Sequence, residues 1–173
     1  MCMPRTTIKA ESSTKEYRKF FAVILFIFLA STLMSTLIAF RWADWLRWFI
    51  GSSLLVFGGF KLISFESFLQ VFPRYDPLAA RYGWYSYIYP LLEVLLGVFY
   101  ILDIAPAVRY IVTFVMLSFG LVGMVTNLQR HGPSTKNTWL GNIFKLPMST
   151  AILFEDALIG LLAGVLLIAS FIG

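Results

Sequence analysis

Four ionisable side chains lie within the apolar stretches of this chain, and they are its strongest candidates for chemistry. Lys61 and Glu93 lie in two separate stretches, and the adjacent pair Glu155 and Asp156 lies in a third. A charged side chain at the centre of a membrane costs about 2.5–3.5 kcal/mol on insertion scales, so each group needs a partner or a function. One ammonium among three carboxyls is suited to an ion-paired cluster, to proton binding or to ligand binding.

A purely structural interpretation of these four residues competes with that one. Lys61 lies about 6 Å from the end of its predicted helix, so its side chain can extend to the headgroups. Glu155 and Asp156 can stabilise the positive N-terminal end of their helix. Glu93 separates the two interpretations, because a short side chain near the midplane cannot reach the interface. We therefore predict that the Lys61 ammonium contacts at least one of the three carboxyls.

Thiol and metal chemistry find little support in the sequence. Cys2 is the only cysteine, and a thiol–disulfide cycle needs two sulfurs, so the chain cannot run one alone. Cys2 is then either an inert thiol or a site of reversible acylation. His131 is the only histidine and has no cysteine near it. We predict no catalytic residue, no metal site and no cofactor.

The elements that position these residues are membrane-spanning helices. Hydrophobic residues make up 59% of the chain and charged residues 13%, with a mean hydropathy of +0.79, which is too apolar for a water-soluble domain. The apolar runs are about as long as a 30 Å hydrocarbon core requires, and they lack the alternation of a barrel strand. The predicted fold class is an all-α membrane protein with five transmembrane helices. The predicted spans are Phe20–Phe40, Trp45–Phe65, Tyr82–Leu102, Tyr110–Leu128 and Ala151–Gly173.

The distribution of basic residues predicts the orientation. Eleven of the fourteen Lys and Arg residues lie in the N-terminal tail and in the second and fourth loop regions, which fall on one side of the membrane. The positive-inside rule then places the N-terminus in the cytoplasm and the C-terminus outside. The same bias explains the net charge of +5 without a nucleic-acid partner. We predict a cytoplasmic tail over residues 1–19, mobile in solution, and one helical domain over residues 20–173.

The two long inner loops and the aromatic residues give further predictions. Residues 66–81 are expected to form a short amphipathic segment on the membrane, broken at Pro73 and Pro77. The loop over residues 129–150 is expected to pack against the inner ends of the second and third spans, with Trp139, Ile143 and Phe144 holding it there. Interfacial aromatic belts are predicted from Trp42, Trp45 and Trp48 and from Tyr82, Trp84, Tyr85, Tyr87 and Tyr89. Close helix packing is predicted at Gly58–Gly59, Gly160/Gly164 and Ser31/Ser35.

An ordered set of motifs in the chain resembles a known family. The set comprises Gly59-Phe60-Lys61, Phe72 with Tyr75-Asp76, Tyr89-Pro90-Leu91-Leu92-Glu93, Leu140-Gly141, Lys145-Leu146-Pro147 and Glu155-Asp156. It is similar to the MauE branch of the DoxX-like integral membrane proteins, which are associated with methylamine utilisation and redox processes. The resemblance covers the chain from about Trp45 onward.

This resemblance implies a bacterial inner-membrane protein that assists the maturation of a partner protein. It also implies that helices 2–5 form a four-helix core, to which the first helix is added. In MauE the partner is the disulfide-rich small subunit of methylamine dehydrogenase. Relatives carry a Cys-x-Cys before the last-loop Leu-Gly, whereas this chain has Asn137 and Trp139 there. A helper without its own thiol centre is therefore the leading hypothesis.

Two other functions remain open at the level of sequence. One is a small proton- or solute-handling membrane protein that uses Glu93 with Lys61, Glu155 and Asp156. The other is a redox subunit that relies on cysteines or a quinone from another chain. The predicted partners are the lipid bilayer and a membrane or exported protein.

Overall fold

All regular structure in the described part of the chain is helical. The computed structural model describes residues 5–38, 40–74, 76–131 and 148–172. Five of the helices are long and apolar enough to cross a membrane, so the predicted five-span, all-α fold class is confirmed. The helices are α1 (Arg5–Ile38), α2 (Trp42–Ile63), α3 (Phe65–Val71), α4 (Pro77–Arg81), α5 (Gly83–Ile101), α6 (Pro106–His131) and α7 (Met148–Ile172), with a 3₁₀ turn at Phe72–Arg74 between α3 and α4.

The helix ends differ from the predicted ones for local reasons. Helix α1 begins at Arg5, so the polar segment that was predicted as a mobile tail continues the first helix without a break. Helix α2 begins at Trp42, and the carboxylate of Asp44 in its first turn interacts favourably with the positive N-terminal end of the helix. Helix α6 begins at Pro106, because proline suits the first helical position, where its missing N–H costs nothing.

The four later long helices form a bundle, and α1 lies on its outside. Helix α2 packs along α5 and α6 packs along α7, and contacts of α2 with α7 and of α5 with α6 join the two pairs. Helix α1 packs against α2 and leaves most of its apolar surface uncovered: Phe26 and Leu37 are 69% and 70% exposed. In a membrane, that surface faces lipid, where exposed apolar side chains cost nothing.

Glycine residues let α2 and α5 approach closely enough for backbone contact. A Cβ atom on Gly51 would lie 2.8 Å from the Cβ of Tyr100, and one on Gly97 would lie 3.0 Å from the Gly51 carbonyl oxygen. Gly58 packs against Glu93 and Val94, as predicted, whereas Gly59 has open space around it. This tight seam fixes the relative height of α2 and α5, and therefore the height of Lys61 relative to Glu93.

The other predicted small-residue pairs make looser contacts. Gly164 lies against the ring of Phe114, at 3.2 Å for a built Cβ, and Gly160 lies against Leu117 at an ordinary 3.6 Å. Ser31 and Ser35 on α1 are buried, and the Ser31 hydroxyl donates a hydrogen bond to the Ile27 carbonyl of its own helix.

The segment between α2 and α5 packs into one end of the bundle, which we call the cluster end. Phe68 and Phe72 are buried, their rings stack at 4.6 Å, and the Phe72 ring lies 4.5 Å from that of Tyr89. The apolar side of this segment therefore covers bundle residues, whereas the sequence predicted that it would cover lipid. Pro73 lies within the 3₁₀ turn and Pro77 begins α4, so the predicted breaks are present.

A buried arginine closes the opposite end of the bundle at the turn between α5 and α6. Arg109 is 1% exposed and donates hydrogen bonds to the carbonyl oxygens of Phe99 and Ile104 and to the Asp103 carboxylate. The hydrogen bond from Arg109 lowers the pKa of Asp103 below its ordinary value. Asp103 and Ala105 have φ angles of 57° and 46°, and the arginine contacts hold this tight turn in place.

Candidate functional site

Lys61 points into the bundle from the last turn of α2. Its Cα–Cβ bond tilts toward the start of α2, which directs the side chain away from the nearby helix end. The ammonium donates hydrogen bonds to Glu93 Oε1 and to Glu155 Oε1, the second at 3.1 Å. The predicted contact between Lys61 and the carboxyls is therefore present. With Lys61 2% exposed, the alternative in which it extends to the headgroups is wrong for this structure.

The lysine ties three helices together, because its two partners lie on different helices. Glu93 is fully buried in the middle of α5, and Glu155 is 2% exposed on α7. Pro90 lies one turn before Glu93 inside α5 and has no N–H for the Ser86 carbonyl. This part of α5 therefore combines a missing backbone hydrogen bond with a buried carboxyl one turn later. Lys61, Glu93, Glu155 and Asp156 are called the carboxylate cluster below.

Asp156 joins the cluster on the side of α6. It is 3% exposed, and a Cβ built on Gly120 would lie 2.7 Å from its Oδ2 atom. The absence of a side chain at Gly120 therefore makes the room that the carboxyl occupies. Asp156 attracts the Lys61 ammonium electrostatically, whereas the hydrogen bonds described for that ammonium go to the two glutamates. Sequence reasoning missed Gly120, whose only signal was a glycine within a span.

Tyr89 forms an aromatic wall of the cluster. Its ring is 1% exposed, and the Lys61 Nζ atom lies 5.1 Å from the ring centre, within the range of a cation–π interaction. Tyr85, Tyr89 and Glu93 recur every four residues and so share one face of α5. Tyr89 is therefore interior, not part of the predicted interfacial belt. The remaining aromatic residues of this segment, Tyr82, Trp84 and Tyr87, are exposed.

The cluster has more acids than bases, and some of its carboxyl oxygens lack hydrogen-bond partners among the described residues. Among the described residues, the Oε2 atoms of Glu93 and Glu155 are buried and have no hydrogen-bond partner. A cavity of about 10 Å³ lies beside Glu155 and Ser53, which is close to the smallest volume that holds one water molecule. A larger cavity of about 590 Å³ lies at the opposite end, and Arg41 is the charged residue among the described residues that line it. The chemistry is therefore concentrated in a nearly closed site.

Asp76 lies at the cluster end and begins α4. Its Oδ1 atom accepts hydrogen bonds of 2.8 Å from the backbone N–H groups of Leu78 and Ala79, the geometry of an N-cap. The residue is 1% exposed, and burial raises the pKa of its carboxyl above the ordinary 3.8, against the two backbone hydrogen bonds that lower it. Its Oδ2 atom is buried without a partner in the described structure.

Several sequence-predicted residues are not among the described residues. Tyr75, Asn137, Trp139 and Pro147 lie outside the described residues, and so does the predicted packing of Trp139, Ile143 and Phe144. Within the described ranges, no group of three or more His, Cys, Asp or Glu side chains is arranged to hold a metal ion. What the described site can do is hold charges and protons away from water.

Comparison with known proteins gives no family. Models of protein families, curated protein sequences and solved structures all fail to match this chain.

Proposed function

We propose that this multi-pass membrane protein binds and exchanges protons at the carboxylate cluster, and that this exchange is coupled to the movement of protons or of a small solute. The observation that carries the proposal is the buried imbalance of charge. Three carboxyls and one ammonium, each at most 3% exposed, lie together among the described residues of the bundle.

An uncompensated charge is costly in the interior of the bundle. A buried ionised group without a partner is so unfavourable that it takes up or releases a proton instead. The Lys61 ammonium can compensate one carboxylate. Charge neutrality then requires protons on the other two acids of the cluster. A site that stores two protons next to an ion pair can exchange them when the local field or the access to water changes.

For the setting of the site, we propose the bacterial inner membrane with a cytoplasmic N-terminus. The excess of basic residues in the N-terminal segment and in the second and fourth loop regions of the sequence supports this orientation, because the positive-inside rule favours them on the cytoplasmic side. In that orientation the carboxylate cluster lies in the cytoplasmic half of the bilayer, and the turn closed by Arg109 faces the periplasm.

Proton flux in liposomes tests the proposal. Purified protein is reconstituted with a pH-sensitive dye inside the vesicles, and a pH gradient is imposed with and without a membrane potential. We expect flux above that of empty vesicles, and we expect Glu93→Gln to abolish it. Glu66→Gln, which changes an exposed carboxylate on α3, is the matched control and should leave the flux unchanged. Equal flux in wild-type and Glu93→Gln vesicles would show that the cluster does not conduct protons.

A helper function of MauE/DoxX type is the second candidate, and one observation favours it. Part of the resemblance is carried by the four residues of the carboxylate cluster and by Tyr89, which lies against them. The motif therefore marks a built site, which is what a shared family function would need. In this proposal the protein assists the assembly of a membrane or exported partner without a thiol centre of its own.

Quantitative co-purification distinguishes the helper function from proton exchange. A partner that co-elutes in stoichiometric amount with wild-type protein, and is lost from Trp139→Ala but not from Glu93→Gln, would support the helper function. Disulfide exchange by the isolated chain would contradict the proposal that it has no thiol centre, because Cys2 is its only sulfhydryl.

A further inference from the structure

Asp76 lies between the exposed surface of the cluster end and the carboxylate cluster. Its neighbour Pro77 and the nearby Arg74 are exposed, whereas Asp76 itself is 1% exposed. The backbone N–H of Asp76 donates to the Phe72 carbonyl, which fixes the residue to the 3₁₀ turn that covers Tyr89. The Asp76 carboxyl is thus buried directly beside an exposed residue, on the inner side of the segment that packs over the cluster end.

The two oxygens of Asp76 have different surroundings. Oδ1 is fully used by the two backbone hydrogen bonds of the N-cap, and these bonds fix the orientation of the carboxyl. Oδ2 has no hydrogen-bond partner among the described residues and is buried. An N-cap requires one acceptor atom only, and serine or asparagine supplies it without burying a charge. The second, unpartnered oxygen is therefore unexplained by the cap.

Aromatic side chains connect Asp76 with the cluster. The ring of Tyr85 lies 6.2 Å from that of Phe72 and 5.7 Å from that of Tyr89. The Tyr89 hydroxyl and the Asp156 carboxyl both lie against Gly120, at 3.9 Å and 2.7 Å from its built Cβ. Tyrosine hydroxyls both donate and accept hydrogen bonds, so Tyr85 and Tyr89, called the tyrosine wall below, carry the kind of group that a proton relay needs.

Electrostatic interactions also link the Asp76 carboxyl with residues at the carboxylate cluster. Tyr85 on α5 and Asp156 on α7 interact electrostatically with the Asp76 carboxyl. Arg74 in the turn and Arg81 at the end of α4 are the cations on its own segment. Negative charge on Asp76 therefore interacts with Asp156, whose carboxyl lies against Gly120 together with the Tyr89 hydroxyl.

We propose that Asp76 is the residue through which the carboxylate cluster exchanges protons with the aqueous phase at the cluster end. Asp76 Oδ2 takes a proton from water, and an O–H bond forms there. The carboxyl then gives that proton up along the tyrosine wall to Asp156, which becomes neutral, and Asp76 returns to the carboxylate. Release follows the reverse order. This inference rests on the proposed function, because it assigns the access route of the same site.

Time-resolved infrared spectroscopy of the full-length protein in liposomes tests this route. After a rapid pH jump, the carboxylic acid bands of the cluster are followed; Glu93→Gln, Glu155→Gln and Asp156→Asn assign them. We expect Asp76→Asn to leave the final amplitude unchanged and to slow its appearance about a hundredfold, the lower end of what a positioned proton-transfer group contributes. Asparagine keeps the cap, and an unchanged thermal midpoint verifies that the fold is intact.

Controls separate the failure of this inference from the failure of the proposed function. Asp76→Ser also caps α4 and cannot relay a proton as a carboxyl does, so it should slow the same step. Glu66→Gln should leave the rate unchanged. A wild-type rate in either folded Asp76 variant overturns the inference and leaves the proposed function standing. If wild-type protein shows no cluster bands that respond to pH, the proposed function fails, and this inference fails with it.

Discussion

Replacing Lys61 by methionine removes the charge of the ammonium while keeping most of its volume. In the folded protein, Glu93 and Glu155 then face each other without the cation that both contact. One of them must take up a proton that it does not need in the wild type. With an ordinary glutamate pKa of about 4.3 and 1.36 kcal/mol per pH unit, that proton costs roughly 3.7 kcal/mol at pH 7. This agrees with the 3–5 kcal/mol typical of breaking a buried ion pair.

The double variant Lys61→Met/Glu93→Gln should be more stable than Lys61→Met alone. It removes the cation together with one acid, so no additional proton is required, and we expect a loss of less than about 1.5 kcal/mol. Glu93→Gln alone should cost about 1.5–3 kcal/mol, because Glu155 at 3.1 Å still pairs with the ammonium. These three values give an interaction energy between the two sites of roughly 4–5 kcal/mol.

Reversible unfolding in mixed detergent micelles measures these differences at pH 7 and pH 5. At pH 5 the extra proton costs only about 1 kcal/mol, so the deficit of Lys61→Met should shrink by more than half. Glu66→Gln, the exposed control, should stay within about 0.5 kcal/mol of the wild type. Additive effects of the two single changes in the double variant would exclude this proton uptake as the cause, and so would a Lys61→Met deficit that is the same at both pH values.

Three further predictions address other parts of the molecule. Gly120→Ala should destabilise the fold by about 1–3 kcal/mol, because its Cβ would displace the Asp156 carboxyl, whereas Gly59→Ala should be neutral or stabilising; a chemical unfolding series that ranks them the other way would contradict the packing. Asp103→Asn should cost less than about 1 kcal/mol at pH 7, because the Asp103 carboxyl is half exposed, and the difference should shrink as the pH falls through 3.8 toward the folded pKa, since Arg109 stabilises only the carboxylate; a deficit that is constant with pH would exclude this origin. Reporter fusions should place the N-terminus in the cytoplasm and the C-terminus outside, and two termini on one side would rule out five spans.

Much of the scaffold could be predicted because lipid imposes strong rules on sequence. Span number and helix class follow from apolar run length, and the contact of Lys61 follows from the cost of an unpaired charge. The side of α5 that carries Tyr85, Tyr89 and Glu93 also follows from their spacing of four. The prediction that Tyr89 is interfacial is wrong, because the spacing of four places Tyr89 on the buried face of α5 together with Glu93.

Other features depend on which helix faces which, and the sequence does not contain that information in a local form. The contact of Gly120 with Asp156 joins α6 and α7, and the seam at Gly51 and Gly97 joins α2 and α5. The burial of Arg109 depends on a turn with two positive φ angles. Composition and periodicity do not reveal such contacts between distant segments or such backbone conformations.

The central claim is that the carboxylate cluster stores exchangeable protons, and infrared counting of protonated carboxyls tests it most directly. The carboxylic acid band of wild-type protein at neutral pH is compared with that of the Glu93→Gln/Glu155→Gln/Asp156→Asn variant, and the difference is calibrated per group. One ammonium among three buried acids predicts that the difference corresponds to two protonated carboxyls. A difference of zero, with all three acids ionised, would contradict the account.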